Sequence, residues 1–247
     1  MKVMLYREYA PDPLLSAHID AYWTLTHTQE DVQQQIILPD GCMDIIFNFG
    51  ATCKTSSGSQ TLQQGRTYLV GTMTRFTGTE MPPGTDLLGI RFRPASIQQF
   101  FSFGTICEIT DQTIGIQSPF DFDGDPRSKP SSQFLNNFLG RRMSSSRNEF
   151  RQVIDVCIAA RGLISVKQLA AHCCISLRQL ERKFLQQTGI HPKQFISIIR
   201  NRAAMAAIKS KKADTTLLEI ALDFGFYDHA HLSNEIKKFS GRVPSAI

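Results

Sequence analysis

Arg178, Gln179 and Arg182 fall within five consecutive positions, and His229, His231, Ser233, Asn234 and Lys237 fall within nine. A guanidinium can donate two parallel hydrogen bonds to a guanine edge or a phosphate, and an Asn side chain can pair with adenine in the same bidentate way. A serine hydroxyl discriminates less. This is the chemistry of reading a surface, not of making or breaking bonds. Groups for covalent or metal chemistry are sparse elsewhere. No Ser/His/Asp arrangement or phosphate-cradling glycine loop stands out. The front half has only His18 and His27, nine residues apart and most simply solvated or at the core edge, with no His-x-His pair to hold a metal. Six cysteines stand at 42, 53, 107, 157, 173 and 174. None forms a Cys-x-x-Cys pair, and a Cys173–Cys174 disulfide would be strained. Reduced thiols are expected, with Cys42, Cys53 and Cys107 as buried small hydrophobes rather than zinc ligands or alkyl acceptors. No metal or cofactor is expected.

The candidate readers must be held by elements that repeat at a period near 51 residues. Ser165-x-x-Gln168 precedes Leu169-Ala170, and Thr216-x-x-Glu219 precedes Ile220-Ala221. Both are capping-box patterns that start a helix. Cys174 and Gly225 each follow four residues after the alanine, where the chain must turn. A second helix follows in each copy, anchored by Leu180/Phe184 and by Leu232/Ile236, and each copy closes on Gly-x-x-Pro: Gly189 to Pro192, Gly241 to Pro244. A short helix, a tight turn and a second helix make the outline of a helix-turn-helix, here over about 165–190 and 216–244. With Leu180 and Phe184 inward, Arg182 points outward, flanked by Arg178 and Gln179. In the second copy Ala230, Ser233, Asn234 and Lys237 point outward, with His229 and His231 near the helix start. Between the copies, Pro192 to about Lys209 reads as one helix of about 27 Å. That length could hold two recognition helices near one DNA turn, roughly 34 Å, apart.

Charge divides the chain in the same place. Of 247 residues, 42% are hydrophobic and 20% charged, which is globular composition and excludes whole-chain disorder. Residues 1–130 hold 9 Lys+Arg and 14 Asp+Glu, net −5, whereas residues 131–247 hold 18 and 8, net +10. A basic half predicts a polyanionic partner. No apolar run approaches the roughly 20 residues of a membrane span, and the N terminus lacks a signal-peptide pattern, so a cytoplasmic protein is expected. The Pro-, Gly- and Ser-containing stretch 121–132 reads as a linker between a front domain, 1–120, and a helical domain, 133–247. Within the latter, Ser146 could cap a helix running to about Arg161.

The front domain reads as strands at 21–26, 35–38, 42–49, 68–73 and 87–93, with Pro39-Asp40-Gly41 as a turn. Pro94 suits the first turn of a helix carrying Ile97, Phe100 and Phe101. A cupin-like β-barrel or sandwich with an accessory helix results. Trp23 and Tyr68 are candidate pocket residues, although single aromatics more often belong to the core. In the strand ending at Pro94, Leu88, Ile90 and Phe92 alternate with Leu87, Gly89, Arg91 and Arg93. Arg91 and Arg93 would suit an acidic or phosphorylated ligand if they line the barrel. Facing water, they form a polar strand face, the simpler reading.

Together these residues resemble the AraC/XylS-type bacterial transcriptional regulators. The resemblance covers about 150–247 and rests on Leu169-Ala170, Ser176-x-Arg178-x-Leu180-x-Arg182-x-Phe184, Gly189-x-x-Pro192, Arg200-x-x-x-Ala204, Ile220-Ala221-x-x-x-Gly225-Phe226 and Lys237-x-x-x-Gly241-x-x-Pro244. Carried over by position, it implies DNA contacts from Arg178, Glu181 and Arg182 in the first recognition helix, and from His229, His231, Ser233 and Asn234 in the second. Cys174 replaces the usual Gly of the first turn, which predicts strain there. Asn234 stands where a basic residue is common and Ile236 where Phe is usual, so the first copy is expected to dominate affinity. The front half is similar, less specifically, to a β-rich domain of some members, on Leu38-Pro39-Asp40-Gly41 and Gly89-Ile90-Arg91-Phe92-Arg93-Pro94; this implies sensing or dimerisation. The expected function is sequence-specific DNA binding in transcription regulation, as activator or repressor, without enzymatic activity. Expected partners are double-stranded DNA, a small-molecule effector, a second copy of the chain and RNA polymerase. The alternative is a small-molecule-processing β-barrel enzyme carrying a DNA-binding or basic regulatory module.

Overall fold

A computed structural model describes residues 4–55, 60–118, 131–144, 150–211 and 214–246. Strands occupy the front of the chain: β1 (Met4–Tyr9), β2 (Ile19–His27), β3 (Gln33–Ile37), β4 (Met43–Asn48), β5 (Cys53–Thr55), β6 (Thr61–Leu62), β7 (Thr67–Val70), β8 (Thr77–Met81), β9 (Asp86–Phe92) and β10 (Thr113–Ile116). They form a six-stranded sheet, β1-β2-β9-β4-β7-β10, and a four-stranded sheet, β3-β8-β5-β6. Every pairing is antiparallel. The two sheets do not close into one barrel. The turn at Pro39-Asp40-Gly41 is therefore not a hairpin: β3 pairs with β8 in one sheet and β4 with β9 and β7 in the other. That turn carries the chain across the sandwich.

Both faces of the six-stranded sheet are covered. One packs Leu88, Ile90 and Phe92 with Leu15, Tyr22, Phe100 and Ile106. The opposite face turns Trp23, Leu25 and Leu87 toward Cys53, Leu62 and Met81 of the second sheet. The helix expected after Pro94 is only a 3-10 turn, Ile97–Gln99. Ala95 at φ +62° breaks helical geometry before it can start. The accessory helix comes instead from α1 (Ser132–Arg142), capped by Ser131, whose Leu135 and Leu139 pack into the front core. Ser131 and Ser132 thus start a helix, whereas 121–130 lie outside the described residues.

The remaining helices are α2 (Phe150–Ala159), α3 (Val166–His172), α4 (Leu177–Thr188), α5 (Pro192–Lys209), α6 (Leu217–Asp223) and α7 (His229–Ser240). The cap expected at Ser146 lies outside the described residues. One apolar core joins Phe150, Leu169, Leu180, Phe184, Phe195, Ile220, Leu232 and Ile236. Both sequence-derived anchor pairs, Leu180/Phe184 and Leu232/Ile236, are fully buried.

Candidate nucleic-acid interface

Each helix of the duplicated units starts on a side-chain cap. Ser165 and Thr216 make the expected capping boxes with Gln168 and Glu219 at the starts of α3 and α6. Ser176 makes another with Gln179 at α4, and Asp228 caps α7 by accepting from His231 N. The two interhelical turns share one hydrogen-bond pattern. Cys174 N donates to Ala171 O and Ile175 N to Ala170 O, each at 3.1 Å; Gly225 N donates to Leu222 O at 3.1 Å and Phe226 N to Ala221 O at 2.8 Å. These are Schellman-type ends, which need a left-handed residue at the turn. Cys174 sits at φ +53° and Gly225 at φ +68°, so the first copy carries the expected strain. Pro192 opens α5, whose 18 residues span about 27 Å.

On this frame Arg178, Glu181 and Arg182 are exposed along α4. Among the described residues no carboxylate lies within ion-pair distance of either arginine. Gln179 is exposed too, but its Oε1 accepts from Ser176 N at 2.9 Å, so its first role is to fix the helix start. On α7, His229, His231, Asn234 and Lys237 are exposed and Ser233 is half-buried. Ser233 donates to His229 O at 2.7 Å, and His231 Nδ1 accepts from Tyr227 N at 3.2 Å while its ring packs edge-on against Phe226. Exposed donors on α7 are thus His229, His231 through Nε2, Asn234, Lys237 and Lys238. Sequence reasoning passed over Tyr227, which is 86% exposed beside the α7 cap and presents a hydroxyl suited to a phosphate. Its position one residue before the Asp228 cap was the available signal.

The front domain reaches both copies at equivalent places. Gly189 ends α4 and Gly241 ends α7. A Cβ on Gly189 would lie 2.6 Å from Thr110 Oγ1, and one on Gly241 2.8 Å from the Phe76 ring. Thr110 Oγ1 donates to Gly189 O at 2.8 Å. Between them, α5 meets the 39–41 turn: Phe195 packs on Gly41, and Arg202 Nη1 donates to Asp40 O at 3.3 Å.

Behind that turn lies a cavity of about 170 Å³ between the two sheets, with Trp23, Asp40, Asp44 and Arg91 among its walls. Arg91 faces this cavity rather than open water, which corrects the simpler sequence reading for that residue. Its Nε stands 3.6 Å from Asp40 and 3.5 Å from Asp44, and its Nη1 3.2 Å from Glu8. Burial raises the Asp44 carboxyl to about 6, against the opposing pull of Arg91. Burial also works against the Arg91 charge, but Asp44 and Asp40 outweigh it and hold the guanidinium protonated. Trp23 Nε1 donates to Asp44 Oδ1 at 2.7 Å. Tyr68 is buried, with its hydroxyl accepting from Gln63 N. Arg93 lies in the cleft between the domains, paired with Asp20 at 3.3 Å.

His27 is fully buried rather than at the core edge. Cys42 and Cys53 are buried as expected, but Cys107 is exposed. Burial, reinforced by Asp40 and Asp44, pushes the Cys42 thiol up. Among the described residues no group of His, Cys, Asp and Glu could hold a metal ion, and no helix is long and apolar enough to cross a membrane.

Fold and surface define a two-domain protein with a β-rich front and a double helix-turn-helix module. Residues 169–247 match the model of a helix-turn-helix domain, and residues 7–115 match a domain family of unknown function. The C-terminal module is of the AraC/XylS type, as its motifs implied. The HTH-type transcriptional regulator ArgR of Pseudomonas aeruginosa is 31% identical over 108 residues, 43% of this chain and 32% of that protein. The chain therefore spans about a third of that relative's length. ToxT from Vibrio cholerae superimposes with a TM-score of 0.49 at 12% identity, over 99% of this chain and 97% of that one. The DNA-binding domain of AdpA, solved with a target DNA, gives a TM-score of 0.36 at 24% identity, over 40% of this chain and 89% of that one.

Proposed function

We propose that this chain is a sequence-specific, double-stranded-DNA-binding transcription regulator whose β-rich domain controls the DNA-reading module. One observation carries the reading: two helix-turn-helix units of matched construction turn Arg178 and Arg182, then His229, Asn234 and Lys237, outward from a common core. Arg182 and Arg178 read guanine or phosphate, Glu181 accepts from cytosine, and Asn234 pairs with adenine. His229, His231, Ser233 and Lys237 supply further contacts at the second site, with Gln179 acting chiefly as a cap. The work is recognition, with no covalent step. Residues 1–120 sense or dimerise and 133–247 read DNA, apart from α1, which packs with the front core. Such a regulator works in the cytoplasm, where a second copy of the chain and RNA polymerase are the partners it meets.

Selection of random duplex DNA by the full chain tests this. Two short enriched blocks about one turn apart, roughly 34 Å, are expected. Arg182→Ala then weakens binding to the selected site by about 1–3 kcal/mol and relaxes one base position. No enrichment, with affinity that vanishes as salt rises, would reduce the module to a basic surface.

A further inference from the structure

The charges lining the cavity between the sheets specify what it can hold. We propose that it binds a small organic amine, a single apolar or aromatic ring bearing an ammonium group, with the ammonium on Asp44 and the ring between Leu25, Leu62, Met81 and Leu87. The proposal rests on the regulatory role given above to the front domain and names the effector chemistry.

Size comes first. A cavity of about 150 Å³ in a protein core accepts benzene, so about 170 Å³ takes one ring and a short substituent. The walls are chiefly apolar, from both sheets. Their polar end is acidic. Among the described residues Arg91 is the only basic residue lining the cavity, with Asp40 and Asp44 beside it and Glu8 pairing with it from outside the wall, while Asp111, also in the wall, pairs with Arg75. Three carboxylates around one guanidinium leave that end negative. Arg91 Nε is buried without a hydrogen-bond partner, but a ligand carboxylate reaching it would add a fourth negative group to an end that already holds three. An ammonium meets the opposite situation. Trp23 Nε1 and Arg91 both approach Asp44 through Oδ1, and among the described residues nothing engages Oδ2. The Trp23 and Tyr6 rings, with centroids 6.1 Å apart, border the same end. Aromatic rings beside a carboxylate suit a cation. Asp40 joins this end to the outside, because its carboxylate faces Arg91 while its carbonyl accepts from Arg202 of α5. An occupant that draws on the carboxylates is felt at the helix joining the two DNA readers.

Trp23 is the chain's only tryptophan, so its fluorescence reports the cavity directly. The full chain is titrated with benzylamine, benzoate and benzyl alcohol near neutral pH. Benzylamine is expected to change Trp23 emission saturably and to bind at least about tenfold more tightly than benzoate. Asp44→Asn keeps an acceptor for the Trp23 N–H and is expected to remove that preference. Leu62→Phe, which fills the cavity without touching a charge, is expected to abolish binding. If Asp44→Asn fails to fold, the ligand comparison and Leu62→Phe carry the test. Benzoate binding as tightly as benzylamine, or no benzylamine binding at millimolar concentration, would overturn the proposal. Affinity for the selected DNA is measured separately on the same protein. Amine binding without DNA binding would sink the regulatory reading and leave the site, and the reverse would sink only the site.

Discussion

Cys174→Gly is predicted to stabilise the chain, and the second copy supplies its control. Cys174 holds φ +53° at the turn between α3 and α4, where Gly225 holds φ +68° between α6 and α7. The turn hydrogen bonds match, so the copies differ at this position chiefly in the side chain. A left-handed backbone costs a non-glycine residue roughly 1–2 kcal/mol. Glycine gives back about 0.5–1 kcal/mol through its larger unfolded-state entropy. Cys174 is exposed, so removing its thiol forfeits little packing. The net gain is about 0.5–1 kcal/mol, or roughly 1–4 °C in thermal midpoint for a chain of this size. Cys174→Ala keeps the strain and is expected to match the parent. Gly225→Ala, whose Cβ would meet Leu163 at an ordinary 3.6 Å, is expected to lose about what Cys174→Gly gains. Differential scanning fluorimetry of the four proteins decides it. If Cys174→Gly melts no higher than Cys174→Ala, the strain argument is wrong.

The cavity gives two further predictions and the domain contact one. Gly89→Ala places a methyl 2.0 Å from the Trp23 ring, so the indole must leave Asp44; a red-shifted Trp23 emission and a loss of about 1–3 kcal/mol are expected, and unchanged emission would refute the placement. Asp44 faces Arg91 of β9, Asp40 of the turn, and Asp20 and Trp23 of β2, and its folded-state pKa of about 6 exceeds the ordinary 3.8. Its contribution to stability is full below the unfolded value and lost as pH rises through about 6; acidifying from pH 7 to pH 5 should gain about 1 kcal/mol from this group, measured as the difference in urea unfolding between the parent and Asp44→Asn. Arg202→Ala removes the bond from α5 to Asp40 O, and hydrogen exchange at the 39–41 turn should rise while the melting point falls by about 1–3 °C. Unaltered exchange there would show that the bond does not hold the turn.

The helical half was legible because its signals are local. Capping hydroxyls, positive-φ turns and apolar pairs four apart act within a few residues, and α5 begins at Pro192 and ends at Lys209 as the pattern indicated. The strands of the front half were only partly legible. β1, β5, β6, β8 and β10 went unread, since segments such as Thr77–Met81 hold too few β-branched or aromatic residues to stand out and exist through pairing with β3 and β5. The helix after Pro94 failed on one backbone angle at Ala95, which no pattern of apolar residues encodes. Arg91 shows a different limit. Alternation along β9 separates two sets of side chains, but both faces of that strand are buried, so alternation could not say which set borders a cavity. The face of α4 could be read because a helix with one apolar stripe has only one outside.

The duplication also explains how a single β domain could govern two DNA readers. Gly189 and Gly241 are equivalent positions in the repeat, each closing a recognition helix, and each is covered by a front-domain side chain, Thr110 or Phe76. A regulator touching one copy could alter that copy's affinity but not the spacing between the two. A body touching both ends and the connecting α5, at Phe195 and Arg202, constrains the distance and angle at which the readers meet DNA. Matching two adjacent groove segments depends on that geometry more than on any single contact. An effector changes DNA affinity only by binding two arrangements of a chain unequally. Asp40 belongs both to the cavity wall and to the turn that α5 grips, so the effector site proposed above would act on the geometry through that residue.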